Sequence, residues 1–126
     1  MLLIGRREFQ SNNSWLHNLP SLATGHAACV LHMHPDHARQ LELSAGHSVR
    51  VRAGTASVVV PLVLTNDIAV GVVSLPHGYG HDLPGVGLSV ASGVAGVSAN
   101  DLTACVVEGP SGNAVLNGVA VSVEAA

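Results

Sequence analysis

Ser48-Val49-Arg50-Val51-Arg52-Ala53-Gly54-Thr55-Ala56-Ser57-Val58-Val59-Val60-Pro61-Leu62-Val63-Leu64 is the stretch that decides the fold class. Ser48 to Arg52 alternates polar and apolar residues, the period of a strand with one face in a core and the other in water. Gly54 marks a turn. Ser57 to Leu64 is a nearly continuous β-branched run, and a branched Cβ fits a pleated surface. Pro61 interrupts it, which predicts an edge position or a bulge, because proline brings no N–H to a ladder.

Strands recur on both sides of this stretch. Residues 1–5, Ala28 to Met33 and Val70 to Leu75 are short apolar runs of strand length, and Ala114 to Val123 makes a last one, bent at Asn117-Gly118. Pro35 opens a helix started by His34 or the residue before it. Pro suits the first turn, Asp36 suits its positive end, and Gly46 is placed to stop it. Many short strands with one helix indicate a mainly β chain closed into a barrel.

The composition sets bounds on this architecture. A chain of 126 residues suits one domain, spanning 1–126. Hydrophobic residues make up 48%, but there is one Trp, one Tyr and one Phe, so the core must be aliphatic. Charged residues are 10%, against about a quarter in an ordinary soluble domain, which implies that other protein covers part of the surface. The net charge of −3 excludes a typical nucleic-acid binder. All five basic residues are Arg, the better residue for forked contacts to phosphate or carboxylate. Eight His residues, if fully protonated, would reverse the sign of the net charge, so solubility and ligand affinity should change between about pH 5 and 7.5. Cys29 and Cys105 each sit in a small apolar run and read as buried structural thiols. No apolar run reaches membrane-span length and no leader pattern occurs at the start, so no membrane insertion and a cytoplasmic location are expected.

Four polar stretches lie between these elements. Gln10-Ser11-Asn12-Asn13-Ser14-Trp15-Leu16-His17-Asn18 surrounds the single Trp with hydrogen-bonding groups, and so reads as a shaped loop. Residues 76–87 hold Gly78, Gly80, Gly85 and Gly87, whose backbone can come close to a ligand. Asn100-Asp101-Leu102-Thr103 and Pro110-Ser111-Gly112-Asn113 follow. Asn offers a donor and an acceptor without charge, which suits a heterocycle such as a pterin or guanine. Arg6 or Arg7 and Gly-rich backbone suit phosphates.

Other chemistries have weaker signatures. No Gly-x-Ser-x-Gly elbow supports nucleophilic hydrolysis. His32 and His34 would share one strand face roughly 7 Å apart, but with His37 they flank a strand–helix junction where imidazoles cap or solvate. His77 and His81 are separated by glycines. No metal ligand is therefore assigned. A decarboxylase that self-cleaves at a Gly-Ser step is an alternative on the same barrel class, but no Gly-Ser dipeptide occurs. An interaction module without a small ligand is the other alternative.

Several segments, in order, resemble a known family. Leu3-Ile4-Gly5-Arg6-Arg7 with Ser11 to Asn18 resembles the start of the C-terminal domain of molybdopterin oxidoreductases. So do Met33-His34-Pro35-Asp36, Leu41 to Val51, His77-Gly78-Tyr79-Gly80-His81, Asn100 to Thr103 and Ser111 to Gly118. The resemblance implies a double-psi β-barrel, aspartate-decarboxylase-like, with one or two short helices. It implies a molybdopterin dinucleotide-binding domain, cut from or serving as a subunit of an enzyme such as a formate dehydrogenase or nitrate reductase. Such a domain closes over bis-molybdopterin guanine dinucleotide, with Mo or W held by the cofactor. Catalytic and iron–sulfur domains lie elsewhere in such enzymes, so the chain would not be catalytic alone. Carried over by motif, Arg6, Asn12, Asn13, Ser14, Trp15 and His17 would contact pterin or phosphate. His77, Gly78, Tyr79, His81, Asn100 and Asp101 would line the same groove, and Asn113 would reach it from the closing strand. Asn12 and Asn13 stand where many relatives have His and Thr, which suits the formate-dehydrogenase-like branch. Asn117 stands where a basic residue often follows the closing motif.

Overall fold

The alternation read in residues 48–64 becomes a hairpin. The computed structural model describes residues 1–9, 11–12, 14–23 and 29–126. In it β3 (Ser48–Ala53) and β4 (Ala56–Leu64) pair antiparallel from Ser48↔Pro61 to Ala53↔Ala56. Gly54 turns the corner at φ +58°, a conformation that costs glycine little and that tight hairpin turns require. Val49 and Val51 point inward from β3, and Val58, Val60 and Leu62 from β4.

Pro61 lies at neither an edge nor a bulge. β4 pairs antiparallel with β3 up to Pro61 and then parallel with β2 (Leu31–Met33) from Leu62 to Leu64. The Leu62 N–H donates to the His47 carbonyl at 2.9 Å and its carbonyl accepts from Gly46 at 2.8 Å. Strand alternation then turns the Pro61 nitrogen to the opposite side, just before β2 begins. The proline occupies the one point of a central strand where no donor is needed.

β1 (Leu2–Arg6) and β5 (Val72–Pro76) pair parallel, and β2 pairs antiparallel with β5. At the far end are β6 (Val119–Ala120), against β1, and β7 (Ser122–Ala125), against β3. The sheet order is β6-β1-β5-β2-β4-β3-β7. Its two ends are consecutive in sequence and joined only by Val121, whose N–H bonds the Met1 carbonyl at 2.9 Å. The sheet therefore curls until one bent strand serves both edges. The expected strand from Ala114 is shorter in fact. Residues 114–118 carry one isolated bridge, Val107↔Ala114, and regular pairing starts at Val119. Residues Cys29 and Val30, expected in β2, precede it as irregular chain, and Ala28 lies outside the described residues.

The core is aliphatic, as expected. Leu3, Leu31, Met33, Val49, Val51, Leu62, Val73 and Leu75 pack with Val121 and Val123, and Tyr79 is the single aromatic among them. Each such side chain contributes about 1.5–3 kcal/mol on burial. The helix α1 (Pro35–Gln40) places Ala38 on this core. His34 caps it, Nδ1 accepting from the Asp36 N–H at 3.1 Å, with Pro35 in the first turn. Gly46 does not stop it. The helix ends at Leu41 because Glu42 turns to φ +56° and the Leu43 N–H bonds the Ala38 carbonyl at 2.9 Å. Gly46, at φ +81°, belongs to the next turn. Among the described residues no helix is long and apolar enough to cross a membrane.

Candidate functional site

Parallel pairing of β1 and β5 sends both strands to the same edge of the sheet. The first polar loop leaves β1 after Arg6, and the second leaves β5 after Pro76. They start side by side, the His77 N–H donating to the Arg6 carbonyl at 2.9 Å. A topology encoded by two apolar runs seventy residues apart thus juxtaposes two loops that sequence spacing alone leaves unrelated.

The loops meet through rings. His17, 4% exposed, lies edge-on to Tyr79, also 4% exposed, with centroids 4.6 Å apart, and edge-on to His81 at 5.8 Å. Burial pulls the His17 pKa below its ordinary value, the Gly78 backbone opposes this, and His81 adds to it. Burial pushes the Tyr79 hydroxyl up to about 12, helped by Glu8 and Cys29 and opposed by Arg6. The second imidazole, His81, has Nε2 2.8 Å from the Gly78 carbonyl. A third stretch packs against this pair of loops. A Cβ on Gly96 would lie 2.6 Å from Tyr79 Cδ1 and 2.8 Å from Cys29 Cβ, and one on Gly80 would lie 2.8 Å from the Ser98 nitrogen. The residues from Gly96 to the 3₁₀ turn Ala99–Leu102, with Asn100 and Asp101, are thereby drawn to the same edge.

Two cavities are lined by residues of these loops. One of about 560 Å³ is lined by Arg7, Glu8, Phe9, Asn12, Leu16 and Leu22. The other, about 270 Å³, is bordered by Gly80, Asp82, Ser98 and Asp101. Asn12 is exposed and holds φ +41°, a left-handed conformation that Asn tolerates. Trp15 and Phe9 are 82% and 97% exposed, so two of the three aromatic residues stand on the surface of one loop.

The expected residues thus divide. Asn12, Ser14 and Trp15 present accessible groups on the first loop, and Asn100 and Asp101 do so on the 3₁₀ turn. His17 and Tyr79 are buried between the loops and act on their shape. His77 packs its ring over Gly5, whose missing Cβ makes room for it. Gly78 turns at φ +93° and supplies the carbonyl that meets His81. Arg6 is committed elsewhere, donating to Glu8 at 2.8 Å, the Ser74 carbonyl at 2.8 Å and the Val30 carbonyl at 3.0 Å. It clamps β1 across β5 to the start of β2. Asn113 bonds within its own turn, its carbonyl accepting from the Glu108 N–H at 2.8 Å, and among the described residues no hydrogen bond carries it to the cluster. Asn13 lies outside the described residues. Asn117, in place of a basic residue, accepts from the Gly5 N–H at 2.7 Å and pins the closing segment to β1.

Sequence reasoning missed the roles of Asn18 and Gly96, and offered Arg7 only as an alternative to Arg6. Asn18 accepts from the N–H groups of Val90 and Ala91 at 2.9 and 3.2 Å, tying the first loop to a 3₁₀ turn seventy residues on. Gly96 lay in a stretch of small residues that carried no signal beyond their size. Arg7 is the one Arg without an ion pair among the described residues, since Arg6, Arg39, Arg50 and Arg52 meet Glu8, Asp36 and Glu124. Its side chain borders the larger cavity. The histidines weighed as metal ligands have other work, His34 as the helix cap and His37 Nδ1 accepting from Gly71 at 3.0 Å, and no metal-binding group of side chains occurs among the described residues. Cys29 is buried, with burial raising its thiol pKa, but Cys105 is exposed, because its apolar run lies off the core.

A family model described as molydopterin dinucleotide binding domain matches residues 1–120. No curated protein matches the chain. Among solved structures the chain is similar to acetylene hydratase from Pelobacter acetylenicus, with a TM-score of 0.81 and 19% identity. That likeness covers 100% of this chain and 18% of the hydratase chain. At this identity it speaks to the fold, and it agrees with the mainly β, barrel-like architecture expected from the sequence.

Proposed function

The chain belongs to the molydopterin dinucleotide binding domain family, and from that premise we propose that it binds and orients bis-molybdopterin guanine dinucleotide within a larger molybdenum or tungsten oxidoreductase of formate dehydrogenase or nitrate reductase type. One observation carries this reading: the β1–β5 pairing and the His17–Tyr79 contact bring the first loop, the second loop and the Ala99–Leu102 turn to one edge of the barrel. A dinucleotide needs a long, discontinuous cradle, and three loops at one edge supply it.

The side chains present fit such a ligand. Asp82 and Asp101 border the smaller cavity and accept N–H groups, which a guanine or pterin edge presents. Asn12 and Arg7 border the larger one, where a guanidinium suits a diphosphate. This assigns the phosphate contact to Arg7, since the Arg6 guanidinium is already engaged. The exposed Trp15 ring offers a flat apolar face nearby. When bound, the cofactor holds its own metal through dithiolene sulfurs. The residues of this chain bind it, orient it and exclude water from one side.

The partners in this reading are the catalytic and iron–sulfur domains of the parent enzyme. Sparse surface charge and the bare aromatics of the first loop support a covered surface. The formate-dehydrogenase-like assignment rests on Asn12 and Asn13 in the first-loop motif. The test is a nuclear magnetic resonance titration of the 126-residue chain with GDP, which shares the guanosine and diphosphate of the cofactor. Shifts are expected at residues 11–18, 78–82 and 98–103. Shifts confined to other surfaces, or none at millimolar GDP, would end the reading.

A further inference from the structure

Two buried polar atoms have no hydrogen-bond partner among the described residues, and both belong to the ring cluster: His17 Nδ1 and the Tyr79 hydroxyl. An unpaired buried polar group is destabilising, so such groups are rare and mark places where function outweighs stability. We propose that His17, Tyr79 and His81 form an acid-sensitive joint, which holds the first and second loops together while the imidazoles are neutral and releases the first loop when His17 takes up a proton. This deepens the cofactor-binding reading and rests on it for its biological meaning, but the joint itself is a property of the chain alone.

The argument is steric and electrostatic. A neutral imidazole can leave one ring nitrogen dry at modest cost. A protonated one carries N–H donors on both nitrogens, and here Nδ1 faces no acceptor. The charge would also sit 5.8 Å from His81, a second titratable imidazole. The other ionisable groups around the cluster do not offset this. Glu8 is held by Arg6 at 2.8 Å, which neutralises it as a counter-ion, while Cys29 and Tyr79 stay uncharged because burial raises both. A released His17 is solvated and titrates near its ordinary value of about 6.5. A closed His17 resists the proton. The joint therefore has its full strength above that pH and weakens as pH falls through it.

Trp15, the only tryptophan, stands two residues from His17 and reports on the first loop. In the 126-residue chain without ligand, Trp15 fluorescence anisotropy is expected to fall below about pH 6.5, with far-ultraviolet circular dichroism unchanged. His17→Gln, which cannot titrate, is expected to lose that fall. His81→Gln, which leaves His17 in place, is expected to shrink it. Flat anisotropy in the unmodified chain, or an undiminished fall in His17→Gln, overturns the proposal. Should His17→Gln not fold, the ring-proton resonances of the unmodified chain decide: a His17 midpoint at the ordinary value overturns the joint, and one below it supports it. GDP binding is followed in parallel. Absent binding with the anisotropy transition intact would sink the cofactor reading and leave the joint standing.

Discussion

Adjacent valines occur in both the β3–β4 hairpin and the stretch from Ala104 to Gly118, yet the first builds the core and the second lies wholly on the surface. In the hairpin the inward positions Val49, Val51, Val58, Val60 and Leu62 are all apolar, with Val59 and Val63 on the outer face, so one face is continuous and buries itself. In the second stretch the apolar runs Ala104 to Val107 and Ala114 to Leu116 are short and far apart. Glu108, Gly109, Pro110, Ser111 and Gly112 interrupt them with turn chemistry. The result is an arm held by the Val107↔Ala114 bridge and by the bond of Glu108 to Ser111, with Val106, Val107, Val115 and Leu116 bare. The length of the unbroken apolar face separates core from surface.

The sharpest test of this contrast uses the two thiols. Cys105, on the arm, should react with a thiol reagent at the rate of a free cysteine. Cys29 is buried at the loop-bearing edge and should react on the order of 10³-fold more slowly, through opening of the barrel. Two thiols labelled at equal rates would erase the contrast. Next, Leu62→Ala in the hairpin should cost about 2–5 kcal/mol in a denaturant titration, since its side chain is fully buried. Arg6→Met tests the clamp between sheet and loop. Losing the bonds to the Ser74 and Val30 carbonyls should cost about 1.5–3 kcal/mol, and a neutral result would return Arg6 to the list of free ligand contacts. Gly96→Ala should cost about 1–3 kcal/mol by crowding Tyr79 and Cys29. The smallest effect belongs to the arm, where Val107→Ser should change stability by no more than about 0.5 kcal/mol. A larger loss would show that the arm packs on something within the chain.

Much of the barrel was legible because its strands announce themselves locally. Period-two alternation at 48–52, the glycine turn and the β-branched run at 57–64 each have a physical meaning that needs no distant partner. The same holds for the helix start at His34-Pro35-Asp36. What was not legible depends on pairing. Pro61 could be read as an edge residue only while its two successive partners were unknown. The helix stop at Glu42 pre-empted Gly46 because a non-glycine residue entered a left-handed conformation, which composition does not reveal. The site divides in the same way. The polar loops were visible as loops, and the order of their motifs marked the family. That His17 faces inward, that Arg6 spends its donors on backbone carbonyls, and that Asn18 reaches across to Val90 follow from contacts between residues far apart in sequence.

Val121, the single residue joining β6 to β7, has a consequence for the making of the molecule. Both open edges of the sheet are sealed by β6 and β7, which follow all the other strands of the barrel. During synthesis β1 waits for β5 and then for β6, and β3, paired with β4 on one side, waits for β7 on the other. At about 5–20 residues per second, the nascent barrel spends seconds with sticky edges exposed. A chain with so many distant pairings also folds slowly once complete. Production of this chain should therefore depend on protection at the ribosome more than its final stability suggests, and truncation before residue 119 should leave a product that aggregates rather than a smaller barrel.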